Sequence, residues 1–148
     1  NVMLGYYKNE EATNQVLDSN GWYHTGDLGI MDKDGNIFIK GRSKNMLLGS
    51  NGQNIYPEEI EDKLNSLALV GESIVLQREE KLVALVYPDM EEAESMGFSL
   101  DDIQKVMTQN LQTLNEMMPG YSKISDIILH EEEFEKTPKK SIKRYLYK

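Results

Sequence analysis

The sequence predicts an α+β fold in which a small mixed sheet of about three strands is covered by helices and preceded by a β-hairpin. An Asp-Gly pair at residues 34–35, set between two short extended runs, is typical of a hairpin turn. Two runs rich in β-branched and apolar residues, at 73–77 and 82–87, indicate neighbouring strands. Apolar residues at helical spacing recur over 57–67 and over 99–118.

Composition narrows the class of protein. A chain of 148 residues with 39% hydrophobic and 28% charged residues fits one globular domain, or one domain and a piece of another. The net charge of −9 argues against a nucleic-acid partner. With no cysteine, and with His24 and His130 far apart, we predict no metal site. The sequence shows no membrane span and no signal peptide, which favours a cytoplasmic location.

The first forty residues resemble the rim of a larger structure, and the start at Asn1 reads as the interior of a longer chain. A short helix is expected from Glu10, with Asn20-Gly21 as its end. Residues 28–31 and 36–40 are the predicted hairpin strands. We place the domain boundary near residues 41–44, so that 1–40 and 41–148 form separate parts.

The second part contains clear helix signals. Pro57 suits the first position of a helix, and Ser99 with Asp102 resembles a capping box that opens a long helix to about Met118. Residues 89–102 look like an acidic connection between elements. Residues 124–129 are a third strand candidate, and residues 136–148 form a basic tail with a short helical end.

Four motifs then occur in a familiar order: VMLGYYKNEEAT, GWYHTGDLG, DGNIFIKGRSKN and NGQNIYPEEIE. Together they resemble the adenylate-forming acyl- and aryl-CoA synthetase superfamily, and TPKKSIKR is most similar to bacterial long-chain fatty acid–CoA ligases. The resemblance implies that residues 1–40 are the tail of an N-terminal adenylation domain and that 41–148 are the mobile C-terminal domain.

The resemblance also implies a reaction. A long-chain fatty acid and ATP give an acyl-adenylate and pyrophosphate, and the thiol of CoA then displaces AMP. The expected ligands of the full-length enzyme are therefore fatty acid, ATP/AMP with Mg²⁺, and CoA, and its own N-terminal domain is the expected partner. The isolated fragment is expected to bind no cofactor and to be inactive. The alternatives are an aryl-CoA ligase, an acyl-AMP ligase that loads a carrier protein, and a non-catalytic α+β binding module.

The nucleotide site implied by the resemblance consists of Thr25, Asp27 and Arg42. A carboxylate at Asp27 accepts hydrogen bonds from both ribose hydroxyls, and the forked guanidinium of Arg42 suits ribose or phosphate oxygens. Read without the resemblance, Asp27 caps a turn and Arg42 makes a surface ion pair. Lys44 occupies the place of the family's hinge residue, where an exposed side chain and backbone freedom are needed.

Gly49, Gly52 and Gln53 resemble the loop that lines the CoA pantetheine tunnel during thioester formation. Glycine is expected there because a side chain would block the thiol. One residue is inserted relative to the commonest form of the family, which leaves open which glycine has this role.

The family ends with a lysine, usually after glycine, that contacts the α-phosphate during adenylation, where a fixed cation stabilises developing negative charge. One alignment places Ser141 at this position and another places Lys140 there. We favour Lys140, with Lys143 second and Lys139 third; the alternative is a solvated basic tail. This tail could also attract anionic lipid headgroups, with peripheral contact at the inner membrane face, although packing of residues 145–147 against the domain is favoured.

Overall fold

The computed structural model describes residues 2–49 and 51–147, so that Asn1, Ser50 and Lys148 lie outside the described residues. The chain divides into two compact units, the first ending at Lys44 and the second beginning at Asn45. The first unit contains α1 (Glu10–Val16), β1 (Asp27–Met31) and β2 (Ile37–Arg42). The elements of the second unit are β3 (Leu47–Leu48), β4 (Asn54–Ile55), α2 (Pro57–Leu64), β5 (Val70–Arg78), β6 (Lys81–Pro88), α3 (Met90–Ser95), α4 (Leu100–Met117) and β7 (Asp126–Leu129).

Helix α1 is shorter than the sequence predicts. Asn9 caps its start by accepting a hydrogen bond from the backbone N–H of Ala12. The helix ends at Val16 rather than at Asn20, because the carboxylate of Asp18 accepts hydrogen bonds from the backbone N–H groups of Asn20 and Trp22. An Asp side chain that binds nearby backbone in this way stabilises a turn in place of a further helical turn.

The predicted hairpin is present and extends past residue 40. Strands β1 and β2 pair antiparallel, with Asp27 opposite Arg42 and Met31 opposite Ile37. The Asp32 carboxylate organises the turn by accepting hydrogen bonds from the backbone N–H groups of Asp34 and Asn36, both at 2.9 Å. Gly41 and Arg42 are therefore part of the hairpin, and the first unit continues to Lys44.

The second unit is built on the mixed three-stranded sheet that the sequence predicts. β5 pairs antiparallel with β6, and β6 pairs parallel with β7. The two-residue turn Glu79-Glu80 joins β5 to β6 with both residues at positive φ, the geometry of a tight hairpin. β5 and β6 are longer than predicted, whereas β7 begins at Asp126 rather than at residue 124.

Helices α2 and α4 cover one face of this sheet. Pro57 is the first residue of α2, and the capping box of Ser99 and Asp102 opens α4, as predicted. The helical side chains that enter this core, which are at most 1% exposed, are Ile60, Leu64, Ile103, Met107 and Leu114. Side chains that point to the same face from alternate strand positions complete the core, among them Val75, Ala84, Val86 and Ile127.

The opposite face of the sheet is covered by the C-terminal tail. Strand residues Ile74, Leu76, Val83 and Leu85 form a second core with Phe134, against which Ile142 and Tyr147 pack. Because strand side chains alternate between the two faces, this core lies across the sheet from the helices. The tail is thus an integral part of the second unit.

The acidic connection expected over 89–102 contains a short helix, α3, in its first half. Asp89 caps α3 by accepting a hydrogen bond from the backbone N–H of Glu92, and Ala93 is buried against the first core. Acidic residues in the first turn of a helix interact favourably with its positive end. The acidic residues that suggested a connection between elements therefore stabilise a short helix.

Candidate active-site elements

The first candidate site lies at the open end of the β1–β2 hairpin. Asp27 begins β1 and Arg42 ends β2, and the register places them opposite each other. The Arg42 guanidinium donates a hydrogen bond to the Asp27 carboxylate, which forms an ion pair. The Asp27 backbone N–H donates to the Thr25 hydroxyl at 3.1 Å, across Gly26, whose φ of +75° favours glycine. The three residues predicted from the sequence are therefore brought together.

This ion pair is open to solvent. The Asp27 side chain is 36% exposed and the Arg42 side chain 58% exposed. The hydrogen bond from Arg42 lowers the pKa of Asp27, so its carboxylate is charged at neutral pH. Exposed ion pairs contribute little to stability. Replacing the contact between Asp27 and Arg42 by contacts with a ligand would therefore cost little free energy.

Tyr23, which was not among the predicted site residues, lies near this pair, and Tyr6 lies beside Tyr23. A hydrogen bond with Tyr6 raises the pKa of the Tyr23 hydroxyl. The charge of Arg42 lowers this pKa, and the charge of Asp27 raises it. Both tyrosine side chains are at least 38% exposed. The only sequence signal for Tyr23 is its place just before the Thr-Gly-Asp turn.

The segment after the hairpin is tied to the same turn. The Ser43 backbone N–H donates to the carbonyl of Gly26 at 2.8 Å. Lys44 is exposed and is the last residue of the first unit. The predicted hinge residue thus lies at the division between the two units.

The predicted CoA loop is the turn between β3 and β4. The Gly49 N–H donates to the carbonyl of Gln53, and the Gly52 N–H donates to the carbonyl of Gly49, both at 2.8 Å. A Cβ at Gly49 would lie 3.0 Å from the Asn51 amide oxygen and 3.3 Å from the Gln53 carbonyl, so the tight packing of the loop favours glycine at this position. Gly52 has a φ of +76°, and among residues 2–49 and 51–147 no atom beyond its two chain neighbours lies within 4 Å of a Cβ placed on it.

Two of the three lysine candidates, Lys139 and Lys140, lie on a short hairpin formed by residues 136–142, which we call the tail hairpin. Lys136 pairs with Ile142, and the Thr137 N–H donates to the carbonyl of Ser141 at 2.8 Å. Lys140 lies in the turn with a φ of +61°, a conformation that favours glycine. The side chains of Lys139 and Lys140 are exposed, whereas Lys143 lies beyond the hairpin and makes an ion pair with Glu135 at 3.0 Å, which raises the pKa of Lys143.

Much of the basic charge of the tail is neutralised. Lys136 is paired with Glu72 at 2.6 Å, Lys143 with Glu135, and Arg144 with Glu61. Within residues 136–147, the lysines without an ion-pair partner are Lys139 and Lys140, at the tip of the tail hairpin. Tyr147 packs into the second core, whereas Tyr145 is 69% and Leu146 47% exposed.

No pattern in the sequence indicates the buried ion pair between Glu61 and Arg144. Their side chains are 9% and 17% exposed. Glu61 also accepts a hydrogen bond from the Val75 backbone N–H at 2.5 Å, and Arg144 donates to the Val75 carbonyl at 3.4 Å. Burial raises the pKa of Glu61, while Arg144 and the Val75 N–H act in the opposite direction. A pairing across 83 residues leaves no local pattern that could have predicted it.

Within residues 2–49 and 51–147, no cluster of three or more His, Cys, Asp or Glu side chains is arranged to hold a metal ion. None of the helices described is both long and apolar enough to span a bilayer.

The sequence profile of the family described as AMP-binding enzyme C-terminal domain matches residues 44–147. The chain belongs to this family. It is thereby a member of the adenylate-forming acyl-CoA synthetase superfamily, as the motifs indicated.

Similar proteins of this superfamily are named for different functions. The chain is 38% identical over 104 residues to the probable acyl-activating enzyme 16, chloroplastic, of Arabidopsis thaliana, covering 63% of the chain and 14% of that protein. It is 39% identical over 75 residues to the long-chain-fatty-acid–CoA ligase FadD15 of Mycobacterium tuberculosis, covering 51% of the chain and 12% of that protein.

A solved structure supports the fold. The adenylation domain of a carboxylate reductase from Mycobacterium chelonae matches with a TM-score of 0.83 at 25% identity, over 97% of this chain and 24% of that one. This likeness confirms the α+β fold over both units. The chain spans only about an eighth of the length of the two curated relatives named above.

Proposed function

We propose that this chain is the C-terminal portion of a full-length long-chain fatty acid–CoA ligase, comprising the mobile C-terminal domain and a short tail of the adenylation domain. The observation that carries the proposal is the family match over residues 44–147. In the first half-reaction, the fatty acid carboxylate attacks the α-phosphate of ATP and releases pyrophosphate. In the second, the CoA thiol attacks the acyl carbonyl, releases AMP and yields the thioester. The chain alone would be inactive.

In this proposal the Asp27–Arg42 pair binds the nucleotide. Its exposure supports this role, because a ribose diol can donate hydrogen bonds to the Asp27 carboxylate without uncovering a buried charge. Thr25 holds the Asp27 backbone, and Arg42 remains beside the carboxylate as a second ligand for ribose or phosphate oxygens. Mg²⁺ would arrive with the phosphates of ATP, whose charge it would reduce.

Lys44 is the proposed hinge. The division between the two compact units immediately after Lys44 supports this assignment, since a hinge must lie where few contacts join two bodies. Rotation there would bring different faces of the C-terminal domain to the reaction centre in the two half-reactions.

Gly49, Gly52 and Gln53 form the proposed thioester loop. Gly52 combines a left-handed backbone with open space, which suits the close approach of a thiol, whereas Gly49 shapes the loop from within. We therefore assign the contact with the pantetheine arm to Gly52.

Lys140 remains the proposed adenylation cation. Its exposed side chain at the tip of the tail hairpin supports this role, and the ion pair of Lys143 with Glu135 argues against the second candidate. The positive φ of Lys140 has a further consequence, because the family's lysine usually follows a glycine. A positive φ at Lys140 would also suit that glycine, which supports the alignment that gives Ser141 the place of the lysine; in that alignment Lys140 would reach the phosphate from the neighbouring position.

The test is acid-dependent ATP–pyrophosphate exchange by the full-length protein, followed by transfer of the acyl group to CoA. Long-chain fatty acids should support exchange and thioester formation. Exchange with aryl acids alone would favour an aryl-CoA ligase, and transfer to a carrier protein without CoA would favour an acyl-AMP ligase. If no carboxylic acid supports exchange, the result would favour the alternative that the chain is a non-catalytic binding module.

Replacing Lys140 with Met tests whether its positive charge is needed for adenylation. Exchange by the full-length protein should fall by about 10²-fold or more, as is typical when a preorganised group that stabilises transition-state charge is removed. Lys143→Met is the matched control and should retain most of the exchange activity. Wild-type exchange in the Lys140 variant would remove Lys140 from the mechanism.

A further inference from the structure

The Glu61–Arg144 pair lies at an open edge of the sheet. The strand order β5-β6-β7 makes β5 an edge strand, and edge strands carry backbone groups without a neighbouring strand. At Val75 the Glu61 carboxylate accepts the N–H and the Arg144 guanidinium donates to the C=O. The pair thus replaces a neighbouring strand at a single residue and joins α2, β5 and the tail.

Contacts near both ends of the tail hairpin attach it to the rest of the second unit. Before its turn, Lys136 makes an ion pair with Glu72 on β5 at 2.6 Å. After its turn, Ile142 packs on the second core, and Arg144 follows two residues later. Among the described residues, the side chains of Lys139 and Lys140 at the tip have no ion-pair partner. The position of the tip is therefore set by contacts at the base of the hairpin.

Stability alone does not require a buried ion pair at this point. Replacing such a pair by apolar side chains of similar size is often neutral or stabilising. A forked guanidinium differs from an apolar side chain in making directional contacts, here with Glu61 and with the Val75 carbonyl. The pair consequently fixes the direction in which the chain leaves the tail hairpin.

We propose that Glu61 and Arg144 are positioning residues for adenylation: their ion pair at the β5 edge orients the tail hairpin so that its tip lysines reach the reacting phosphate. This inference rests on the proposed function. It assigns no part to the pair in thioester formation, which uses the loop of Gly49 and Gly52.

The experiment measures both half-reactions in the full-length protein. Adenylation is followed by ATP–pyrophosphate exchange with a long-chain fatty acid, and thioester formation by adding presynthesised acyl-adenylate and CoA. In Arg144→Met, kcat for exchange should fall by about 10²-fold, the effect of a displacement near 1 Å at a reacting centre, with KM for ATP little changed. Thioester formation should stay close to wild type. Arg144→Lys, which keeps one directional contact, should recover part of the exchange rate.

A second variant separates positioning from folding. Glu61→Leu combined with Arg144→Met removes both charges, so that it should regain stability but remain slow in exchange. Arg78→Met, which removes an exposed arginine from the same strand, is the matched control and should behave as wild type.

The outcomes are distinguishable. Normal exchange in Arg144→Met, equal loss of both half-reactions, or recovery of exchange in the double variant would each overturn the positioning role while leaving the ligase function intact. If the wild-type protein forms no acyl-adenylate from any acid, the proposed function fails, and the positioning role fails with it.

Discussion

The two carboxylate–guanidinium pairs of this chain use the same chemistry in opposite settings. Asp27 and Arg42 meet at the exposed end of a hairpin, and the hydrogen bond from Arg42 lowers the pKa of Asp27. Glu61 of α2 and Arg144 of the tail meet at the edge of β5, and burial raises the pKa of Glu61 despite its partner. A ligand can reach the exposed groups of the first pair and replace their mutual contact. The groups of the second pair are shielded from solvent, so losing one partner leaves the other without a replacement. Exposure therefore distinguishes the proposed nucleotide-binding pair from the pair that joins α2, β5 and the tail.

The largest expected effect comes from breaking the buried pair. Arg144→Met leaves an unpaired carboxylate at Glu61 and should lower the free energy of unfolding by about 3–5 kcal/mol. Urea unfolding of the chain measures this change. The double variant Glu61→Leu/Arg144→Met should recover most of the loss, and a loss in the double variant as large as in Arg144→Met would show that the charge of Glu61 is not its cause.

The capping box of α4 should have an intermediate effect, because it is exposed but joined by several hydrogen bonds. The Ser99 hydroxyl accepts from the Asp102 backbone N–H, and Asp102 accepts from the Ser99 N–H. Ser99→Ala should therefore lower stability by about 0.5–2 kcal/mol. Thermal unfolding would test this, and Ser95→Ala, at the last residue of α3, is a control with a smaller expected effect.

The exposed pair should matter little for folding. Arg42→Met should change the free energy of unfolding by at most about 1 kcal/mol, the usual range for ion pairs open to solvent. In the full-length protein the same substitution should weaken ATP binding, which isothermal titration can measure. A large loss of stability with unchanged ATP affinity would reverse the roles of the two pairs.

The smallest expected effect is a loss of folding stability at acidic pH. Hydrogen bonds from Ser99, followed by Lys105, lower the pKa of Asp102 from 3.8 to about 2. A carboxyl whose pKa is lower in the folded state stabilises that state above its unfolded pKa, so this contribution should fade as the pH drops from 3.8 toward 2. Asp102→Asn should show a shallower loss of stability over that interval, and an unchanged slope would contradict the assignment.

Local signals predicted most of the fold. Pro57, the Ser99–Asp102 box and the Asp-Gly turn each act within a few residues, and each element formed where they indicated. Helix α3 was missed because its acidic residues resemble a solvated link, although they also suit the first turn of a helix. The early end of α1 was missed because it depends on side-chain bonds of Asp18.

The candidate site was predictable only where it is local. Thr25, Asp27, Arg42 and the loop of Gly49 and Gly52 were selected through the family resemblance of short motifs, and the hairpin register then places Asp27 opposite Arg42. The Glu61–Arg144 pair depends on contacts between an α-helix, a strand edge and the C-terminal tail. Such contacts are set by tertiary packing, for which a single sequence carries no periodic signal.

The most direct test of the account is a structure of the full-length protein with an acyl-adenylate bound. We predict that the Asp27 carboxylate accepts hydrogen bonds from the ribose hydroxyls while Glu61 and Arg144 remain paired at Val75. An adenylate bound with Asp27 remote from its ribose would contradict the account.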